Sequence, residues 1–262
     1  MGKLLRDTIF LSSMLVNSET WVNLTKEDIE ELESVDRVLL RHIFQVPKST
    51  PIPSLYLELG CVPIGFLIKA KRIMYLHIIL IRPKNKLISR VLKAQENKPA
   101  KNDWVISVKE DLQEFGIFLS FGEIATMKKT NFKKIVKKSL KKVAFQFLSQ
   151  EKIKKSKLDD LNYESLQIQP YLVSNNISTR RKKLLFKART RMIWVGANFG
   201  KKEELCPICS LEQNTQKHMT QCLEIRKQFL NTKENNQYNY EDKFGKEPKK
   251  MKADTLSGHT CK

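Results

Sequence analysis

The chain has 262 residues, 41% hydrophobic and 29% charged, with nine Gly and nine Pro, which is enough apolar side chain for a core and excludes collagen-like or linker-dominated chains. Lys and Arg number 48 against 28 Asp and Glu, a formal charge of +20 that repels itself unless the partner is polyanionic; nucleic acid is the first candidate. Long runs of Lys, Glu, Leu and Ile favour helices over an all-β sandwich or a parallel-sheet enzyme. At the N-terminus, Lys3 and Arg6 precede the apolar stretch Ile9 to Val16, but Asp7 and two serines interrupt it and no small-residue cleavage site follows, so it reads as a helix start and not a signal peptide. Ile29, Leu32, Val35, Leu39, Leu40 and Ile43 recur at helical spacing after Thr25 and Asp28, a capping-box pair, which predicts a helix over about 26–45. Pro47, Pro51 and Pro53 forbid continuation, and Pro47 to Ser54 reads as a rigid connector. Ser54 to Gly60 is a short helix ended by glycine, and Pro63 pre-sets the first turn of a helix reaching Ile81, where Pro83 stops it.

That last helix is the only stretch resembling a membrane span, yet Lys69, Lys71 and Arg72 sit near its middle. Each central charge costs about 2.5 to 3.5 kcal/mol, more than the apolar neighbours return, so a buried helix with a polar stripe is expected. Shorter helical patterns follow at Lys86 to Gln95 and Ser107 to Phe115. From Lys128 to Lys157 there are twelve lysines, one glutamate and no Pro or Gly. Lys133, Lys134, Lys137, Lys138, Lys141 and Lys142 oppose Phe132, Ile135, Val136, Leu140, Val143, Ala144 and Phe147, which predicts one helix, half core and half cation. A second basic amphipathic helix carries Arg180, Arg181, Lys182, Lys183, Lys187, Arg189 and Arg191 among Leu184, Leu185, Phe186 and Met192. Beyond Phe229 the composition is too polar to offset ordering entropy, and a disordered tail is expected.

The sharpest chemical signal is Cys206-Pro-Ile-Cys209, then eight residues to His218 and three more to Cys222. A CxxC turn supplies two soft donors and an i,i+4 His/Cys pair on one helix face supplies two more, the donor set of a closed structural Zn2+ site with no open catalytic position. A thioredoxin-like redox pair needs a βαβ setting, which the surrounding sequence lacks. Cys61, among apolar neighbours, reads as a buried inert thiol, and His42 and His77 as packing histidines. The dense lysine helix reads as a phosphate-binding face rather than a merely solvated one, because like charges at this density repel and phosphate relieves the repulsion. The Arg180–Arg191 run reads either as a further phosphate contact or as a nuclear-localisation signal. Trp21, Trp104 and Trp194 read as core, and Asp159-Asp160 lacks the strand-turn-strand setting of a two-metal polymerase.

Several stretches, in order, resemble one family: Asn17-Ser18-Glu19-Thr20-Trp21, the helix from Leu32 to Arg41, Ser54 to Gly60, Arg72 to His77, Leu185 to Met192, and the CxxC…HxxxC ligands. Together they resemble the region following the polymerase core in non-LTR (LINE-type) retrotransposon reverse transcriptases, over roughly residues 9–225. The resemblance implies a thumb-like helical segment (1–125), a basic helical linker (126–200), a CCHC zinc knuckle (201–228) and an unrelated tail (229–262). It also implies that RNA or DNA is the partner, with no membrane and no small-molecule substrate. The palm aspartates and an endonuclease carboxylate cluster are missing, so the chain is expected not to polymerise or cut DNA alone; it reads as a truncated element remnant or an incomplete gene model, nuclear or cytoplasmic. A helical protein-interaction scaffold with a structural zinc site is the alternative.

Overall fold

The computed structural model describes residues 2–193, 195 and 204–224; the expected tail, 229–262, and Trp194 lie outside the described residues. The architecture is mostly α, as expected, and among the described residues β pairing is confined to the isolated bridges Leu59 with Ile168 and Leu205 with Gln213.

An N-terminal helix runs through α1 (Gly2–Leu5), a wider π-helical turn (Arg6–Phe10) and α2 (Leu11–Met14). Helix α3 (Lys26–Phe44) opens on the expected capping box: the Asp28 N–H donates to Thr25 Oγ1 at 3.1 Å and the Thr25 N–H donates to Asp28 Oδ2 at 2.8 Å. The proline connector is shorter than the sequence pattern implies, because α4 (Ile52–Leu59) begins at Ile52 with Pro51 as its N-cap. Proline is tolerated there because the first helical N–H groups have no intrahelical partner to lose. Gly60 closes α4 at φ +58°, and a Cβ there would collide with the Gln167 backbone, so both conformation and close approach demand glycine.

Helix α5 (Ile64–Leu80) is the axis of the fold. Ile64 and Ile68 pack with Leu11 and Leu15, while Ile73 and Leu76 pack with Val105 and Val108 of α7 (Trp104–Glu114), Ile124 of α8 (Phe121–Thr126), and Phe132 and Val136 of α9 (Lys129–Ile153). Between α5 and α7 lies α6 (Leu87–Asn97), which buries Leu92. The polar stripe of α5 is paired: buried Arg72 has its Nε 3.2 Å from Asp111 Oδ2, while exposed Lys71 donates to the Leu15 carbonyl and half-buried Lys69 pairs with Glu114. No single described helix is long and apolar enough to cross a membrane.

A second core joins both halves of the chain. Leu40, Phe44, Leu55, Leu57 and Cys61 pack with Ala144 and Leu148 of α9, Leu166, Tyr171 of α10 (Pro170–Val173), and Leu185 and Phe186 of α11 (Thr179–Arg189). Phe44 and Phe186 stack with ring centroids 3.7 Å apart. Helix α9 thus contributes to two cores, and apolar packing runs across residue 126. Glu58, fully buried, accepts hydrogen bonds from Tyr163 Oη (2.6 Å), Tyr171 Oη (2.7 Å) and Arg189 Nε (3.0 Å). Arg6 makes a similar internal pair with Asp36, at 2.6 Å through both Nε and Nη2.

Candidate metal centre and cationic face

The Cys-Pro-Ile-Cys turn is carried on a small hairpin. The Cys206 N–H donates to the Glu212 carbonyl (2.7 Å) and the Asn214 N–H to the Glu204 carbonyl (2.8 Å), while Ser210, at φ 54°, reverses the chain after Cys209. The short helix α12 (Gln216–Gln221) follows, capped by Thr215 Oγ1 accepting from the His218 N–H at 2.9 Å. One helical turn from His218, the Cys222 N–H donates to the His218 carbonyl at 2.7 Å, so turn and helix aim their donors at a common point.

The donor atoms of Cys206, Cys209, His218 and Cys222 all lie within 4.8 Å of one another and could hold a metal ion. Donors bound at about 2.0 to 2.3 Å on a tetrahedron stand roughly 3.3 to 3.8 Å apart, and the Cys209 Sγ to His218 Nε2 distance is already 3.2 Å. Cys206, His218 and Cys222 are buried. The Cys209 thiol is pushed down to about 6 by the Leu211 backbone N–H, aided by the Glu212 N–H, His218 and Cys206. Burial works against the charged form of His218, but hydrogen bonds with Cys206, Cys209 and Glu212 raise it. Ligation needs the thiolate and a neutral imidazole, so the environment of Cys209 favours metal, whereas binding at His218 must displace to solvent any proton that the ring holds on its ligating nitrogen.

Glu212 is the residue that sequence reasoning missed. Its Oε2 lies 2.8 Å from His218 Nδ1, where it accepts the ring proton and leaves Nε2 turned toward the thiols. No spacing rule singles out this glutamate; the hairpin brings it back under the histidine. Gln216 ties the module to the helical body, its Nε2 donating to the Ala188 carbonyl at 2.6 Å.

On α9 the apolar residues Phe132, Val136, Leu140, Ala144 and Leu148 form one row at four-residue spacing, and this row enters the cores. The next two rows around the helix on one side are cationic: Lys133, Lys137 and Lys141, then Lys134, Lys138 and Lys142, all six exposed. Rows at this spacing run as ridges inclined to the helix axis, so the buried ridge and the lysine ridges climb the helix in parallel. Lys128 and Lys129 extend the exposed charge at the N-terminal end.

The second basic run does not form a uniform face. Arg180 is exposed, and Arg181, Lys182, Lys183 and Lys187 are half-buried. Arg189 is corrected from a phosphate contact to a core group, since its guanidinium is committed to buried Glu58 and lies over the Tyr171 ring. Helix α11 ends at Arg189; Arg191, at φ 52°, lies beyond it and pairs with Asp160.

The remaining residues sort simply. Cys61 is buried and its thiol is raised by burial. His77 is buried, its Nε2 3.0 Å from the Met127 carbonyl and its ring stacked on Phe132, whereas His42 is exposed rather than packed. Trp104 donates to the Glu19 carbonyl at 2.8 Å, and Trp21 packs beside Leu11 and Ile64. Comparison of this chain with protein-family models, curated proteins and solved structures finds no match.

Proposed function

We propose that this chain is a nucleic-acid-binding module that grips phosphate through the lysine ridges of α9 and carries a structural zinc ion in its 204–224 segment. The observation that carries the reading is the placement of six exposed lysines on two adjacent ridges of a helix whose opposite side is anchored in two cores. A rigid, single-sign face has a mutual-repulsion cost that a polyanion removes. The contacts are to backbone phosphate and carry no sequence information. Zinc fits the Cys3His donor set, and four protein donors complete its tetrahedron, leaving no position for substrate. In this role the metal fixes the hairpin and α12, while Glu212 sets the imidazole tautomer.

The resemblance to the post-polymerase region of LINE-type reverse transcriptases supplies the setting: the module would hold template RNA or target DNA for chemistry performed by other residues. Titration of the purified chain against single-stranded RNA and duplex DNA over a salt series tests the reading. Affinity falling about a thousandfold or more between roughly 50 and 200 mM salt is expected for six or more phosphate contacts. Affinity that is absent, or indifferent to salt, would overturn it. Displacement of bound RNA by an acidic peptide pool at equal charge would instead favour a protein-interaction scaffold.

A further inference from the structure

The outer face of α3 belongs to neither core nor to either candidate site. The helix buries Asp36, Leu40 and Phe44 on its inner side. On the opposite side Asp28, Glu31, Val35, Val38 and His42 are all exposed, as is Gln45, the left-handed C-cap just beyond the helix, and the two valines keep 51% and 62% of their surface. Their spacing alternates between three and four residues, the a and d positions of a heptad seam. The seam is polarised: Glu31, with Glu27 beside it, precedes the valines, and His42, with Arg41 beside it, follows them. Acids at a helix start and bases at its end complement the macrodipole, but that effect does not account for two valines left exposed between them.

We propose that α3 pairs antiparallel with α3 of a second copy of this chain, about a two-fold axis between residues 36 and 37. Val35 then faces Val38 of the second copy, Glu31 faces His42 and Asp28 faces Gln45. Each pair is equidistant from the axis and joins an a position to a d position, as an isologous antiparallel seam requires. The acidic half of each helix lies along the basic half of the other. A parallel pairing would set acid on acid and base on base, which excludes it. Two open grooves flank the seam, one of about 500 Å³ near Arg41, His42 and Ile52, and one of about 670 Å³ near Trp21, Leu24 and Glu31. They give the side chains of the second copy room at both ends. A single helix pair is at the small end of specific interfaces, so the dimer is a transient one.

Sedimentation equilibrium of the full, metal-loaded chain tests this in about 0.3 M salt, where a Debye length of roughly 5 to 6 Å screens repulsion between the +20 chains. A concentration-dependent monomer–dimer equilibrium is expected, weakened about tenfold or more by Val38→Asp and comparably by Glu31→Lys. Adding His42→Glu to Glu31→Lys reverses the seam and is expected to restore dimerisation to within about threefold. All of these positions are exposed, and unchanged circular dichroism confirms the fold of each variant. A monomer at every accessible concentration, indifference to Val38→Asp, or no rescue by the reversed pair would overturn the proposal.

Discussion

The helical body and the metal module are folded by different forces. In the body, apolar clusters contributed by α2 to α11 exclude water from dozens of side chains, and each fully buried Leu or Ile is worth about 1.5 to 3 kcal/mol. In the module, the cluster amounts to Cys206 and Cys222 with Ile208, Cys209 and Met219 around them. Three of those five are thiols, so the donors that could hold a metal are themselves the centre of the cluster. The same chain thus contains one part ordered by its own apolar burial and one part that, on the proposed reading, a bound metal would order.

The largest expected effect follows directly. Structural zinc sites bring apparent binding free energies of roughly 10 to 16 kcal/mol near neutral pH, so chelation, Cys206→Ser or His218→Ala is expected to unfold 204–224. Hydrogen exchange should then show protection lost there and retained in α3, α5 and α9; elemental analysis of metal-replete protein should find one zinc per chain. Next in size is Glu58→Ala, which removes the buried carboxylate that pairs with Arg189 and accepts from two tyrosine hydroxyls, and is expected to cost the body about 3 to 5 kcal/mol in denaturant unfolding. Such a loss in the body with the metal still bound would sharpen the division between the two regions.

A pH effect of intermediate size is expected from Asp111, whose carboxyl burial pushes up to about 6 despite the Arg72 guanidinium beside it. The folded chain holds this proton up to about pH 6, whereas the unfolded chain releases it near the ordinary value of 3.8. Between those values the folded state binds more protons, so this group's contribution to stability is present at low pH and is lost as pH rises through about 6. The window is worth about 2 to 3 kcal/mol at most. Asp111→Asn should flatten that part of the stability profile of the body. Gly60→Ala is expected to cost about 1 to 3 kcal/mol from its left-handed backbone, and more from the collision with Gln167. The smallest effect is Ser120→Ala, which removes the cap of α8 for about 1 kcal/mol and should leave metal content unchanged.

Much of this molecule was legible in the sequence where the determining interactions are local. The Thr25–Asp28 capping box, Pro63 before α5, Gly60 after α4 and the four-residue spacing of the α9 lysines each act within one or two turns of chain. The grouping of Cys206, Cys209, His218 and Cys222 was legible for the same reason. Helix α8, capped by Ser120 and Glu123, was not read, because six residues offer almost no periodicity. What stayed hidden depends on distant segments meeting. Arg189 reads as one more cation in a basic run until Glu58, 131 residues earlier, is placed against it. Glu212 is an ordinary surface glutamate until the hairpin folds it under His218.

The salt dependence of duplex binding tests most directly whether the lysine ridges of α9 are the phosphate-binding surface. Replacing Lys133, Lys134, Lys137, Lys138, Lys141 and Lys142 by Gln leaves the buried ridge of α9 untouched and should leave the fold intact by circular dichroism. Each lost contact is worth about 0.9 in the slope of log affinity against log salt, so the variant is expected to bind far more weakly, with a slope shallower by about 5. An affinity and slope equal to those of the unmodified chain would contradict the account.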